Sequence, residues 1–141
     1  MLDTIRAMLG WCAVTRGTTS ILVAVFALGG TTSAAMDVKR IDSTLILSGT
    51  VVQPDLDRIK KHFTTPPVIT HVVLRNSMGG NSWTGYRLGE FFREKGVTTV
   101  VSGHCVSSCS RLFLGGKIRM FSDDFPASLT YVGFHGHYDF D

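Results

Sequence analysis

Short apolar stretches that alternate with helical stretches constrain the fold of this 141-residue chain most strongly. Residues 68–74 are rich in β-branched side chains and contain no turn residue, which is typical of a strand buried on both faces. Residues 97–101 have the same character, and a helical stretch separates the two runs. Strands and helices that alternate in this way form right-handed crossover units on a parallel sheet. The sequence therefore predicts the α/β class with a mainly parallel sheet.

The remaining strands and helices are predicted from their apolar spacing and from the residues at their ends. Further strands are expected at 43–49, 118–121 and 129–134, and helices are expected at 54–63, 83–95 and 107–114. Ser82 is expected to cap the second helix and Gly96 to end it. We expect a turn at residues 76–80 because two of the five are glycines.

The second predicted helix carries a wide aromatic face. Trp83, Phe91 and Phe92 lie on it, and such a face packs into a core more often than it forms an oligomer contact. We therefore expect these three side chains to be buried.

Residues 1–35 contain the three parts of a secretory signal peptide. A leader with Arg6 and Arg16 precedes an uncharged apolar core at 21–28, and small residues follow at 33–35. The core is shorter than the roughly 20 residues that a membrane span needs. We expect cleavage after Ala35 and export to the periplasm or the cell exterior, with an uncleaved membrane anchor as the alternative. Residues 36–43 are expected to form a linker, and 44–141 are expected to form the domain.

Charge and metal-ligand spacing exclude several classes of partner. The net charge is only +3, and no basic run with interleaved aromatic residues is present, so nucleic acid is not an expected partner. The five histidines and three cysteines show no zinc spacing such as Cys-x-x-Cys or His-Glu-x-x-His. We therefore expect no metal and no cofactor, and contact with a membrane only through the signal peptide during export.

Two cysteines, Cys105 and Cys109, follow the predicted signal peptide. An even number of cysteines in an exported protein allows a disulfide. Two cysteines four residues apart on a regular helix are poorly oriented for a bridge, so pairing requires Cys105 to lie before the helix begins.

Polar and glycine residues follow two neighbouring predicted strands. Gly79 and Gly80 come after one strand and Ser107 after the next, and the carboxyl ends of parallel strands meet at the edge of the sheet where ligands bind. Successive glycines let backbone N–H groups approach an anion, and the amide of Ser108 at the helix start can point to the same place. Such donors form an oxyanion hole, in which each is worth about 3 to 4 kcal/mol of transition-state stabilisation. Ser107 is then the candidate nucleophile, with a helix cap as the alternative role.

These motifs resemble the Clp protease and crotonase superfamily. Asn-Ser-Met-Gly-Gly at 76–80 is similar to the Asn-Ser-Pro-Gly-Gly turn of that family. Cys-Val-Ser-Ser-Cys at 105–109, followed by Leu-Phe-Leu-Gly-Gly at 112–116, is similar to its exported Clp-protease-like branch. Gly-Phe-His at 133–135 is similar to the strand that carries the base. The resemblance implies a repeated βαβ spiral that assembles as rings or trimers, so a homo-oligomer is an expected partner state.

The same resemblance assigns site residues. It implies that Ser107 is the nucleophile, that His135 is the general base and that Gly79 and Gly80 donate to the oxyanion. Ser108 and Cys109 are the alternatives for the nucleophile.

For the base, His137 is the alternative on the same strand, and His104 could instead sit in the cleft. The resemblance therefore leaves two further histidines as candidates beside His135.

The chain departs from the family pattern at two places. Met78 stands where the family has proline, and the acid of the family's triad lies well beyond its histidine, whereas Asp139 and Asp141 are too close to His135. We therefore expect the sequence to be C-terminally incomplete.

The main functional prediction is a serine-dependent hydrolase that acts on a peptide or other acyl substrate through an acyl-enzyme. Among hydrolases, a peptidase is the leading prediction. A non-catalytic binding or assembly module, or an inactive fragment of the same fold, is the alternative. A third reading is a thioester-binding hole without a serine nucleophile, as in crotonases.

Overall fold

The structure, a computed structural model, describes residues 34–136. This part of the chain forms strands β1 Asp37–Ile41, β2 Thr44–Val51, β3 His71–Gly80, β4 Thr98–Val106, β5 Ile118–Phe121 and β6 Tyr131–Gly133, and helices α1 Asp55–Lys61, α2 Ser82–Lys95 and α3 Ser108–Gly115. A short 3-10 helix, Ala127–Leu129, precedes β6. Except for Ala34 and Ala35, the predicted signal peptide lies outside the described residues, as do His137, Asp139 and Asp141.

The strands form one mixed sheet in the order β1-β2-β3-β4-β5. Only β1 is antiparallel to its neighbour, and the other pairs are parallel. β5 pairs with the first half of β4, and β6 pairs with its second half, at His104 to Val106. The prediction of the α/β class with a mainly parallel sheet is confirmed.

The predicted linker at 36–43 contains a strand instead. β1 pairs along its whole length with β2 through a tight turn in which Asp42 has a φ of 49°. Met36, just before β1, is 1% exposed and belongs to the core. The prediction of a linker was wrong. β1 is an edge strand in which only the Val38 side chain packs against the core, so the sequence has no strong apolar pattern there.

The predicted turn at 76–80 is the end of β3. The register of β3 against both neighbouring strands shifts at this point, and Asn76 adopts a φ of 46°. Backbone irregularities of this kind bend a strand and redirect its side chains. The composition therefore correctly indicated local distortion, but the strand continues through it to Gly80.

Helix α2 is capped by Asn81 rather than by Ser82. The Asn81 side-chain oxygen accepts a hydrogen bond from the Thr84 amide at 2.8 Å, and Ser82 is the first helical residue. Asparagine and serine are comparable caps, so the sequence alone could not choose between neighbours. Gly96 ends the helix in a left-handed conformation with a φ of 67°, as predicted.

The core lies between the sheet and its helices. Its largest fully buried side chains include Phe92, Leu88 and Leu112 on the helices and Leu45, Leu47 and Leu74 on the strands. Phe92 is buried as expected and Phe91 is partly buried, but Trp83 is 55% exposed, so the prediction of a fully buried aromatic face was wrong at that residue. Trp83 lies in the first turn of α2, where Thr84 and Gly85 are the buried residues.

Helices α2 and α3 pack together through glycines. A Cβ on Gly85 would lie 2.7 Å from the carbonyl oxygen of Ser108, and a Cβ on Gly89 would lie 2.5 Å from that of Arg111. Because these contacts are backbone to backbone, the position of α3 is closely fixed by α2. None of the helices in residues 34–136 is long and apolar enough to cross a membrane.

Candidate active site

Ser107 lies at the sharp turn between β4 and α3. Its φ of 56° and ψ of −124° fall in a region that serine rarely adopts. A strained residue persists only where its surroundings hold it, and such residues cluster at functional sites. A sharp turn between a strand and a helix also exposes the hydroxyl of a serine at the end of the sheet, which is what a nucleophile needs.

Backbone hydrogen bonds hold this turn in place. The Ser107 amide donates to the Gly133 carbonyl of β6 at 3.0 Å. The Ser107 carbonyl accepts from both the amide of Ser110 at 3.0 Å and its hydroxyl at 2.5 Å. Ser110 was not singled out from the sequence, although its position three residues after Ser107 is a recognisable signal for this bond.

His135 contacts Ser107 directly. Its Nε2 lies 2.6 Å from the Ser107 hydroxyl oxygen, and its Nδ1 lies 3.0 Å from the Gly136 carbonyl oxygen. A carbonyl oxygen can only accept, so Nδ1 carries the hydrogen, and in the neutral imidazole Nε2 then accepts from the Ser107 hydroxyl. This is the tautomer in which histidine can remove a proton from serine. The structure therefore brings together two residues that are 28 positions apart in the sequence.

The Gly-Gly pair approaches Ser107 through Gly79. A Cβ on Gly79 would lie 2.7 Å from the Ser107 Cβ and 2.8 Å from the Ser108 nitrogen, and its φ of 89° also favours glycine. Gly80 instead lies against Val51 and Thr50 of β2.

The amide donors at this turn are not equivalent. The Gly79 amide donates to the Ser77 hydroxyl at 3.2 Å, and that hydroxyl donates to the Gly49 carbonyl at 2.6 Å. Ser108 is the first residue of α3, so no carbonyl within the helix can accept from its amide. Of the three predicted oxyanion residues, Gly79 therefore provides close approach, while the Ser108 amide provides a donor beside it.

The cysteines on either side of Ser107 are joined. Cys105 at the end of β4 and Cys109 in α3 form a disulfide with a Cα–Cα distance of 5.2 Å. Cys105 lies before the helix, which is the condition that pairing requires. Both cysteines are fully buried, so Cys109 is not an accessible nucleophile.

A small cavity of about 50 Å³ surrounds the Ser107 and His135 side chains, and Ser110, Arg111 and Phe134 complete its lining. His104 is not part of it. His104 pairs with Tyr131 in the sheet, and their rings lie 6.2 Å apart. Arg111 and Phe134 were not predicted as site residues, because their place in the cavity depends on how β6 and α3 meet.

The loop between β5 and β6 is anchored at Asp124. Hydrogen bonds from the Ser122 and Ser102 hydroxyls and the charge of Arg75 hold the pKa of Asp124 below its usual value of 3.8, although burial opposes them. Arg75 lies 3.7 Å from the carboxylate and also stacks on Phe125. This loop leads to β6, and His135 lies two residues after the end of β6, so Asp124 helps to set the path that brings His135 to the site.

No group of three or more metal-ligating side chains is present among the described residues. The arrangement that residues 34–136 do contain is a serine–histidine pair at the carboxyl edge of a parallel sheet, with a glycine turn and a helix N-terminus beside it. This defines a mixed α/β protein with the geometry of a nucleophile and its base.

Solved structures that are similar to this chain include the following two. One is the ClpP1 N165D mutant from Listeria monocytogenes, with 17% identity over 52% of this chain and 46% of that chain and a TM-score of 0.44. The other is a putative enoyl-CoA hydratase from Streptomyces coelicolor A3(2), with 12% identity over 71% of this chain and 50% of that chain and a TM-score of 0.43. The matched region spans about half the length of each of these proteins. No protein-family model and no curated protein sequence is similar to the chain. Neither similar structure assigns a role to a residue of this chain.

Proposed function

We propose that the protein is a serine-dependent hydrolase and that its substrate class is peptides. We assign it to the exported Clp-protease-like branch of the Clp protease and crotonase superfamily. The observation that carries this proposal is the 2.6 Å contact between the Ser107 hydroxyl and His135 Nε2. The motifs at 76–80, 105–116 and 133–135 support the family assignment. No cofactor or metal takes part in the proposed reaction.

The reaction proceeds through an acyl-enzyme. The Ser107 oxygen attacks the substrate carbonyl carbon while its proton passes to His135 Nε2, and the amide of Ser108 stabilises the oxyanion. The carbon–leaving group bond then breaks, and the leaving group takes the proton from Nε2. Water attacks the acyl-enzyme in the same way, with His135 again accepting and returning the proton, and Ser107 is released. The Gly136 carbonyl holds the Nδ1–H throughout, which keeps the imidazole in the productive orientation.

A fluorophosphonate probe tests the nucleophile. We expect it to label the folded protein at Ser107, as located by peptide mass spectrometry, and to leave Ser107→Ala unlabelled. Ser108→Ala is the register control, because the Ser108 hydroxyl is buried and only its amide is used. If the folded protein takes up no label, or if the label lies on another residue, the proposed hydrolase is wrong.

Export is a separate part of the proposal. A disulfide is typical of proteins in oxidising compartments, and the Cys105–Cys109 bridge supports export to the periplasm or cell exterior. Fractionation of cells that express the full chain, with N-terminal sequencing of the product, tests it. We expect the product to begin at Met36, whereas a membrane-bound product that keeps residue 1 would support the anchored alternative.

The second candidate function is that of an assembly module. All four side chains of β5 are exposed, including Ile118, Met120 and Phe121 at 58%, 50% and 56%. Apolar residues on an exposed edge strand invite pairing with another chain, which favours a homo-oligomer. Analytical ultracentrifugation of wild type and Met120→Lys tests this. An oligomer that the variant dissociates, in a protein that no fluorophosphonate labels, would favour assembly without catalysis.

A further inference from the structure

A groove of about 270 Å³ runs between α2 and α3 on the surface of the protein. Gly89 and Gly115 form its floor, and a Cβ on Gly115 would overlap the Gly89 carbonyl oxygen. Because the two helices meet through glycines, the side chains on either side stand above the floor as walls. Tyr86 and Leu114 give these walls a mainly apolar character.

Arg111 joins this groove to the candidate active site. It lines both the groove and the small cavity around Ser107 and His135, so the two spaces are neighbours. Its guanidinium lies over the Tyr86 ring, 4.5 Å from the centroid. A guanidinium stacked by its face keeps its N–H edge for an acceptor, and planar carboxylates fit that edge.

The charges around the groove favour an anionic ligand. Glu90 is the one acidic side chain among the described residues that line the groove, and its carboxylate pairs with Arg87 at 2.7 Å. Arg93, also in the lining, donates to the Leu114 carbonyl at 2.7 Å. Among residues 34–136, none of the salt bridges includes Arg111. The groove thus offers apolar walls and a cationic end on the side of Ser107.

We propose that this groove binds the acyl part of the substrate and that Arg111 selects acyl chains that carry a carboxylate. The inference rests on the proposed hydrolase and names its substrate class. The acyl chain extends from Ser107 towards the groove, and its carboxylate pairs with the Arg111 guanidinium at the end of the groove nearest Ser107. Arg111 is then a specificity-determining residue. In a peptide the same chemistry is an acidic side chain on the acyl side of the cleaved bond.

Matched esters test the preference. The nitrophenyl half-esters of succinic, glutaric and adipic acid are compared with the nitrophenyl esters of butanoic, pentanoic and hexanoic acid, which have the same chain lengths without the carboxylate. We expect kcat/KM of wild type to favour the acidic ester by about tenfold at one chain length or more, the size that a hydrogen bond between charged groups gives. Two peptides that differ only in Glu or Gln before the cleaved bond show whether the preference extends to peptides or is confined to small acyl chains.

Variants assign the preference to Arg111. In Arg111→Met the ratio of acidic to neutral ester falls to about one, and in Arg111→Lys part of it is retained, because the charge remains while the planar fork is lost. Arg119→Met is the matched control, since Arg119 lies on β5, donates to the Gly116 carbonyl and does not line the groove. We expect the ester ratio of that variant to equal that of wild type.

The outcomes separate this inference from the proposed function. If the fluorophosphonate labels Ser107 but wild type hydrolyses acidic and neutral esters equally at every length, or prefers the neutral ones, the groove inference is wrong and the hydrolase stands. An equal loss of preference in Arg119→Met and Arg111→Met would also overturn it, because the effect would then be one of net charge. If the folded protein takes up no label, both proposals fail.

Discussion

The disulfide on either side of Ser107 is expected to support both the stability of the protein and the position of its candidate nucleophile. Cys105 and Cys109 are separated by four positions, so the bridge closes a ring of five residues with Ser107 at its centre. The loop-closure entropy of such a ring corresponds to about 2 kcal/mol of stability at 25 °C. Replacing both cysteines by alanine in the same protein is therefore expected to lower the free energy of unfolding by about 2 kcal/mol, measured by urea denaturation.

Loss of the bridge is also expected to act on the conformation of the site, apart from its effect on folding. A residue in a sparsely populated backbone region costs about 1 to 3 kcal/mol, and Ser107 with its φ of 56° is such a residue. Without the bridge, residues 105–109 can relax out of this conformation. Relief of about 1.4 kcal/mol lowers the population of the conformation in which Ser107 contacts His135 about tenfold. We expect the rate of fluorophosphonate labelling of the Cys105→Ala/Cys109→Ala protein to fall by at least that factor.

A core variant far from the turn separates position from stability. Ile59 on α1 is fully buried, and Ile59→Ala is expected to cost about 2 to 5 kcal/mol, at least as much as the loss of the bridge. Under conditions where both proteins are folded by circular dichroism, Ile59→Ala should label at the wild-type rate. The reasoning is refuted if the double cysteine variant labels as fast as Ile59→Ala, because the bridge would then only stabilise the fold.

Three further predictions concern Gly79 beside Ser107, Asp124 in the loop between β5 and β6, and Asn81 at the start of α2. Gly79→Ala should abolish labelling of Ser107, because the new Cβ would lie 2.7 Å from the Ser107 Cβ. Gly49→Ala is the control: its φ of 90° is similar, but nothing lies within 4 Å of the new Cβ, so this variant should only destabilise the protein. Equal labelling of the two variants would contradict the steric argument. Asp124→Asn should be less stable than wild type at neutral pH. Because folding lowers the pKa of Asp124, this carboxylate stabilises the fold above the ordinary value of 3.8, and that stabilisation is lost as the pH falls below it. The denaturation midpoints of the two proteins should therefore converge in acid. A difference that stays constant with pH would refute this. Asn81→Ala should cost about 1 kcal/mol of unfolding free energy, and no change in the urea midpoint would show that the cap contributes nothing.

The sequence predicted the regular part of this fold well because apolar runs have a clear physical meaning. Residues 97–101 are all β-branched and were predicted to form a strand, and in the structure this strand continues to Val106. Gly96 could be placed at a helix end because a left-handed residue there favours glycine. β1 was missed because an edge strand buries few side chains, so pairing with β2 leaves little trace in its sequence.

The candidate site was predicted as a set of residues but not as a geometry. The strand–turn–helix pattern placed Ser107 at the sheet edge, and the family resemblance selected His135. The distinction between Gly79 and Gly80 could not be predicted, since it depends on the shifted register at the end of β3. Arg111 was not predicted either, because the side chain of an arginine on a helix surface is ordinarily solvated. Its position beside the site depends on its stacking on Tyr86.

The position of the base depends on the same strand that holds the nucleophile. The Ser107 amide donates to the Gly133 carbonyl, and His135 follows only two residues later, so β6 fixes both partners of the 2.6 Å contact. The three residues of β6 pair with the end of β4, which leads directly into Ser107. Nucleophile and base are therefore both held by the pairing of β6 with β4. Asp124 anchors the loop that precedes β6 through its hydrogen bond with Ser102 of β4. A change that detaches β6 should thus remove His135 from Ser107 and also break one of the hydrogen bonds that hold the strained turn at Ser107.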